Sequence, residues 1–332
     1  MEQKTFINSF SYIRIFACFS IIVLHCLFAS TVYFGDVISN TQFITEKTFE
    51  HILMFGVPLF LMVTGALLLD LNRILTTKKL FRYLKRIIIA LLAFSFIFMI
   101  LQDAFEDGFQ GNYLYRWIDI VLNGTSWAHM WYLYLMIAIY LFLPVLKIIV
   151  SKLDEKSLLF LIFSFVMIST IFSIVDDPGI TLGAINIHIS NVIYPTYLLL
   201  GYYFFNHKLG ILPATILFIS SSVIIIAGTI ITGDFASLCS YSSFIVVMQA
   251  VGLYSLMLNI NQNSSALIKD IDKCTFGIYL IHMIGVRCIM KWIGFNPYNF
   301  GIIAFIIMAV ILFFVSYLIT TLIKRIPKMN LL

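Results

Sequence analysis

Ser9-Phe-Ser-Tyr-Ile-Arg-Ile-Phe-Ala-Cys-Phe-Ser-Ile-Ile-Val-Leu-His-Cys-Leu-Phe-Ala-Ser-Thr31 decides the fold class. The stretch holds one charged residue, Arg14, and is long enough to cross a bilayer, which needs roughly 20 mostly apolar residues. It is too long for a cleavable signal peptide, it contains Arg14 and His25, and no small-residue cleavage site follows it. Nine further segments share this character: 49–70, 87–104, 129–148, 157–175, 188–206, 211–231, 238–259, 274–293 and 300–323.

Composition agrees. Hydrophobic residues make up 61% of the 332 residues and charged ones 11%, far below the roughly 25% of a soluble domain. Mean hydropathy is +1.01. A chain this apolar has lipid as its solvent, and in lipid only helices and closed barrels satisfy their own backbone. The expected fold is therefore all-α, a polytopic integral membrane protein of about ten transmembrane helices. The five cysteines stand scattered in apolar runs, as small buried hydrophobes do. No low-complexity segment or linker divides the chain, so 1–332 is expected to be one domain without an appended soluble one.

Charge orients the segments. Lys47, Arg116 and Lys291 fall in outer connections, Arg14 and Arg287 fall inside segments, and the other sixteen of the 21 Lys and Arg fall in the alternate, inner pieces, Lys328 among them. The outer pieces hold most of the acids, including Asp36, Glu46, Glu50, Asp107, Asp119, Asp176 and Asp177. The positive-inside rule then puts both termini in the cytoplasm of a multi-pass plasma or inner membrane protein. The net charge of +5 reflects this anchoring to membrane lipids and implies no nucleic acid. In the outer connection 105–128, Tyr113–Leu122 is too short to span and is expected to lie as an interfacial helix.

Ionisable residues inside spans are functional candidates, because each costs ~2.5–3.5 kcal/mol on insertion scales. Arg14 and His25 are eleven residues apart, which puts them on one helix face about 16 Å apart along the axis. They mark two levels of one polar channel. Arg287 lies late in the ninth segment, and His282 shares a face with Tyr279. No carboxylate falls within the core of a span, so the partner of each arginine is left open between water, a carbonyl, an infolding loop acid and an anionic ligand. His129 and His51 begin outer helix ends, where interfacial solvation suffices for them. In the inner loop, Lys79, Arg82 and Arg86 recur at helical spacing, suited to anchoring on headgroups or to holding phosphates. No spacing suits a metal ion, and none is expected.

Tyr12-Ile-Arg14 through Leu24-His25 resembles the opening of the acyltransferase-3 family of membrane acyltransferases, whose hallmark is Arg, ten residues, then His. Phe55-Gly-Val-Pro-Leu-Phe-Leu-Met-Val-Thr-Gly65 is similar to its second helix, with Thr64 where Ser is commoner. Lys79-Leu-Phe-Arg82-Tyr-Leu-Lys-Arg86 resembles its basic loop, His129-Met-Trp-Tyr-Leu133 the start of its fourth helix, and Phe276-Gly-Ile-Tyr-Leu-Ile-His282 a late helix.

The resemblance implies O-acyl transfer, usually O-acetylation, from cytosolic acetyl-CoA to a hydroxyl of a cell-surface or lipid-linked glycan. It gives His25 the catalytic role and Arg14 that of essential partner. Lys79, Arg82, Lys85 and Arg86 would meet the CoA phosphates, and Trp131, Tyr132, Tyr279, His282 and Arg287 would meet substrate. The family's basic motif is commonly Arg-x-x-Arg, whereas Lys79-x-x-Arg82 and Arg82-x-x-Lys85 stand here. A thioester is already activated, so the enzyme has chiefly to deprotonate the hydroxyl and steady the oxyanion, and a neutral imidazole suits the first task. The runner-up is a transporter or flippase for a glycan or lipid intermediate, which Pro58 and Pro195 would suit as helix breakers, although no inverted repeat of hydropathy accompanies them. A non-catalytic scaffold of a polymer-assembly complex is a third reading.

Overall fold

The computed structural model describes residues 2–175, 179–182, 185–233, 235–260 and 263–326, with the side chains of 2–7, 180–187 and 237 left out; Asp176, Asp177 and Lys328 lie outside the described residues. Within them the protein is an all-helical membrane bundle. Each of the ten apolar segments is helical: α1 (Glu2–Phe34), α2 with α3 (Asn40–Ile52 and Gly56–Leu68), α4 (Thr77–Gln102), α6 (Trp131–Lys152), α7 (Glu155–Ile174), α8 (Ile193–Asn206), α9 (Ile211–Thr232), α10 (Phe244–Leu258), α11 (Ala266–Arg287) and α12 (Ile302–Lys324). Among the described residues eight are long and apolar enough to cross a membrane. The shorter two are α8, lengthened by a 3₁₀ turn at Ile189–Val192, and α10. Two three-residue strands, Ile180–Leu182 and Ile185–Ile187, pair antiparallel between α7 and α8.

Polar residues set the boundaries. Thr76, Asp154, Ser243 and Ser265 each cap a helix, accepting from the backbone N–H of Lys79, Ser157, Ile245 and Ile268. Ser39 and Gln42 form a reciprocal capping box at α2. That box starts the second pass at Asn40, nine residues before its apolar segment. A 3₁₀ turn at Leu53–Phe55 joins α2 to α3. Pro58 and Pro195 each stand third after a 3₁₀ turn, Leu53–Phe55 and Ile189–Val192.

Helix α1 runs through the centre, packed on α3, α11, α12, α2 and α10. Its Ile13, Ala17, Ile22, Cys26 and Leu27 are fully buried. Helices α3 and α8 cross backbone to backbone. A Cβ on Gly65 would stand 2.0 Å from the Leu198 carbonyl oxygen, and one on Gly201 would stand 2.0 Å from that of Met62. Each glycine thus rests on the carbonyl three residues before the other, as in paired small residues of parallel membrane helices.

Between α4 and α6, the short helix α5 (Tyr113–Asn123) lies along α4. Arg116 forks onto Asp103 at 2.6 and 2.7 Å, and Trp117 Nε1 donates to the Leu92 carbonyl and Ser95 Oγ. The expected short helix is present, held to a span by these side chains.

Hydrogen bonds between helices join ends that alternation puts on one side. At the basic end, Lys147 Nζ donates to the carbonyls of Asp70 and Arg73, and Lys324 Nζ to that of Lys273. At the acidic end, Glu106 meets Arg287, and Thr170 Oγ1 donates to the Ser242 carbonyl. Reporter fusions after Lys79 and Lys152 are therefore expected to read cytoplasm, and a fusion at Asp107 the outside. One fusion on the opposite side would break the alternation on which the two ends are named.

Candidate functional site

Two of the polar clusters inside the bundle hold the residues singled out in the sequence, and they are spaced along α1. The first belongs to the basic half. Arg14 donates from Nε to Asp272 Oδ1 at 2.6 Å and from Nη2 to Oδ2 at 2.5 Å, and Ser11 Oγ donates to the same carboxylate at 2.8 Å. The fork is bidentate, the strongest arrangement available to this pair. An infolding acid is thus the answer to the question the sequence left open. Asp272 stands in the second turn of α11, which begins eight residues before its apolar segment.

With one edge of its guanidinium held by Asp272, Arg14 borders a cavity of about 180 Å³. Helix α4 contributes Tyr83, Arg86 and Ile87, α6 contributes Tyr132, Met136 and Tyr140, and α11 contributes Thr275, Phe276 and Tyr279. Thr64 on α3 and Ile21 on α1 complete the lining. The Arg86 guanidinium lies 4.9 Å from the centre of the Phe276 ring, and the Tyr83 and Tyr140 rings pair at 5.6 Å. The lining is therefore cationic and phenolic, without a carboxylate facing in.

Of the four basic residues expected at the CoA phosphates, Arg86 alone lines this cavity. Lys79, Arg82 and Lys85 are exposed on the first turns of the same helix, nearer its basic end. The Lys79 ammonium donates to the Ile74 carbonyl.

The second cluster begins one turn beyond Ile21. His25 Nδ1 and His282 Nε2 are 2.8 Å apart, their rings within 11° of coplanar and centred 5.0 Å from one another. Rings stacked face to face stay about 3.5 Å apart, so this is an edge-to-edge hydrogen bond. His129 completes a trio, its ring 6.2 Å from that of His25 and 5.7 Å from that of His282. His129 and His282 are buried, while His25 is half-buried.

Tyr279 connects the levels. Its ring lines the cavity and its hydroxyl donates to the His129 carbonyl. Among the described residues neither ring nitrogen of His129 has a hydrogen-bond partner of good geometry. An orphaned buried imidazole is costly, and burial replaces the interfacial solvation that the sequence suggested for it. Among the described residues no group of three or more His, Cys, Asp or Glu is arranged to hold a metal ion.

Above the trio stands a column of rings and cations. Phe98 lies against His129, Trp127 stacks on Phe98 at 4.3 Å, and the Arg287 guanidinium sits 4.3 Å over Trp127. Arg287 also donates to both oxygens of Glu106, at 2.9 and 3.0 Å. Lys291 and Trp292 donate to the same carboxylate at 2.6 and 3.0 Å. Two π-helical turns, Asp103–Asp107 and Cys288–Trp292, bring these groups together. Arg287 is thus placed in a cap over the histidines, away from the cavity wall. Trp131, also expected at substrate, is partly exposed among the rings of Tyr132, Tyr194 and Tyr241.

The fold is that of an all-α polytopic membrane protein with a polar interior on two levels. The chain matches the model of the acyltransferase domain family, acyltransferase-3, across residues 7–325 and belongs to that family. It is a membrane acyltransferase. No curated protein and no solved structure matches it.

Proposed function

We propose that the protein takes an acyl group, in the simplest case acetyl, from cytosolic acyl-CoA and places it on a hydroxyl of a cell-surface or lipid-linked glycan, with His25 as general base. One observation carries this reading. The only half-buried member of the histidine trio lies one helical turn beyond a cationic, tyrosine-lined cavity that reaches from Arg14 and Arg86 to Tyr279.

The donor fits this lining by its chemistry. A cavity of about 180 Å³ is below the ~300–1,000 Å³ of a site for a drug-sized ligand, so it suits an acylated pantetheine end rather than a nucleotide. The nucleotide would stay outside, near exposed Lys79, Arg82 and Lys85. Arg86 and the edge of Arg14 turned from Asp272 are donors for amide or thioester oxygens along the path. In the transfer, His25 takes the hydroxyl proton as the oxygen attacks the carbonyl carbon. The C–S bond then breaks and the proton goes to the departing thiolate.

Donor binding tests the cavity assignment. Arg86→Ala is expected to raise the Kd of purified protein for acetyl-CoA at least tenfold, measured by calorimetry in detergent. Arg82→Ala and Lys85→Ala are expected to raise it less, with an effect that grows at low salt, where exposed phosphate contacts are least screened. Lys273→Ala, outside the cavity lining, serves as control. Equal affinity in Arg86→Ala and the control would move the donor elsewhere.

A further inference from the structure

The bond between His25 and His282 decides which nitrogen of each ring holds its hydrogen. His282 Nδ1 lies 3.3 Å from the carbonyl oxygen of Ile278, one turn back on α11. A carbonyl only accepts, so His282 carries its hydrogen on Nδ1. In the neutral ring Nε2 is then a bare lone pair. That lone pair stands 2.8 Å from His25 Nδ1, which must be the donor. His25 therefore holds its hydrogen on Nδ1, and its Nε2 is left bare. The reverse assignment would set the Nδ1 lone pair of His282 against the lone pairs of the Ile278 carbonyl.

We propose that His282 is a positioning residue, which holds His25 in the Nδ1–H tautomer and so makes His25 Nε2 the base of acyl transfer. The proposal rests on the reading of His25 given above. In the step itself, Nε2 receives the proton of the attacking hydroxyl while Nδ1–H stays in place, donating to His282. The imidazolium formed meets an aligned acceptor until Nε2 returns its proton to the thiolate. His282 thus does with a neutral lone pair what a carboxylate does for the histidine of a Ser-His-Asp triad. Depth favours the neutral group, because a lone carboxylate within a span is an expensive charge. The exposures agree: His282 is 0% exposed, shut away with its proton, while His25 is a half-buried residue.

Tautomers can be read without any acyl transfer. The protein is labelled with ¹⁵N-histidine, and long-range ¹H–¹⁵N spectra are assigned by removing single histidines. The expected spectrum has His25 and His282 both protonated on Nδ1. In His282→Leu, His25 is expected to lose that preference. With [¹⁴C]acetyl-CoA and native membranes, the turnover of His282→Leu is expected to fall about 10²-fold at an unchanged KM for acetyl-CoA. His282→Gln, whose amide oxygen stands near the place of Nε2, is expected to recover most of the loss. Turnover is counted per monodisperse protein, so that loss of fold is not read as loss of rate. A wild-type spectrum with His25 protonated on Nε2 overturns the proposal whatever the activity, as does unchanged turnover in His282→Leu. If the tautomers are as expected and His25→Ala still transfers acyl groups, the base reading fails and the ring arrangement stands. If His25 is essential but protonated on Nε2, the base reading stands and the positioning role fails.

Discussion

In His25→Ala, acylation of the membrane glycan is expected to fall by 10²–10⁴-fold, the usual cost of removing a positioned base. Donor binding is expected to survive, because the cavity wall ends at Ile21 and Tyr279 and does not include His25. The two measurements separate chemistry from architecture. Transfer is followed as label moving from [¹⁴C]acetyl-CoA into the glycan fraction, and binding by calorimetry on the same preparation. Losing an interhelical hydrogen bond would cost stability by about 0.6 kcal/mol on average in a membrane protein, too little to imitate a hundredfold loss of rate in protein that remains folded. A His25→Ala protein that inserts, binds donor and transfers at near wild-type rate would reduce His25 to packing.

The second large effect concerns the fold. Gly65→Leu is expected to leave little monodisperse protein after detergent extraction, measured by size exclusion of a fluorescent fusion, and Gly201→Leu is expected to match it. At both positions the first added carbon meets backbone, the Leu198 or the Met62 carbonyl at 2.0 Å, and no rotamer change relieves that. The helices would have to part, which costs at least the ~1–3 kcal/mol of an over-packed core. Gly210→Ala is the control, because there the new carbon would meet only Pro213 at 3.7 Å, an ordinary contact. Normal yield from Gly65→Leu would show that the α3–α8 crossing is dispensable.

Much of the bundle was legible in the sequence because lipid imposes its demand locally, on every run of about 20 residues. All ten apolar runs are helical, and the short helix at Tyr113 is where the loop's pattern placed it. The boundaries were less legible where polar caps carry a helix beyond its apolar part. The Ser39–Gln42 box extends the second pass, and Ser265 starts α11 well before residue 274.

Of the site, the shared face of Arg14 and His25 and the pairing of His282 with Tyr279 followed from helical spacing. The partners of these residues did not. Asp272 is 258 positions from Arg14, and Glu106 is 181 from Arg287. No local pattern records such a meeting. A weaker signal was present for Asp272. It follows Ser265 by seven residues and so lies inside any helix that Ser265 caps, just before the apolar run. His129 was misjudged because a helix's first residues are usually wet, and here Phe98 and Trp127 seal that end.

The pairing of both intramembrane arginines has a consequence for energy coupling. A membrane potential acts on net charge, with ~2.3 kcal/mol per elementary charge per 100 mV. Arg14 with Asp272, and Arg287 with Glu106, each present a cation and an anion within 3 Å, so each pair is a short dipole rather than a charge in the field. Neither arginine can serve as a gating charge while it is paired. The voltage across the membrane then finds no net charge to pull on at Arg14 and Asp272, whereas Lys291, which shares Glu106 with Arg287, leaves the outer cluster with one positive charge in excess.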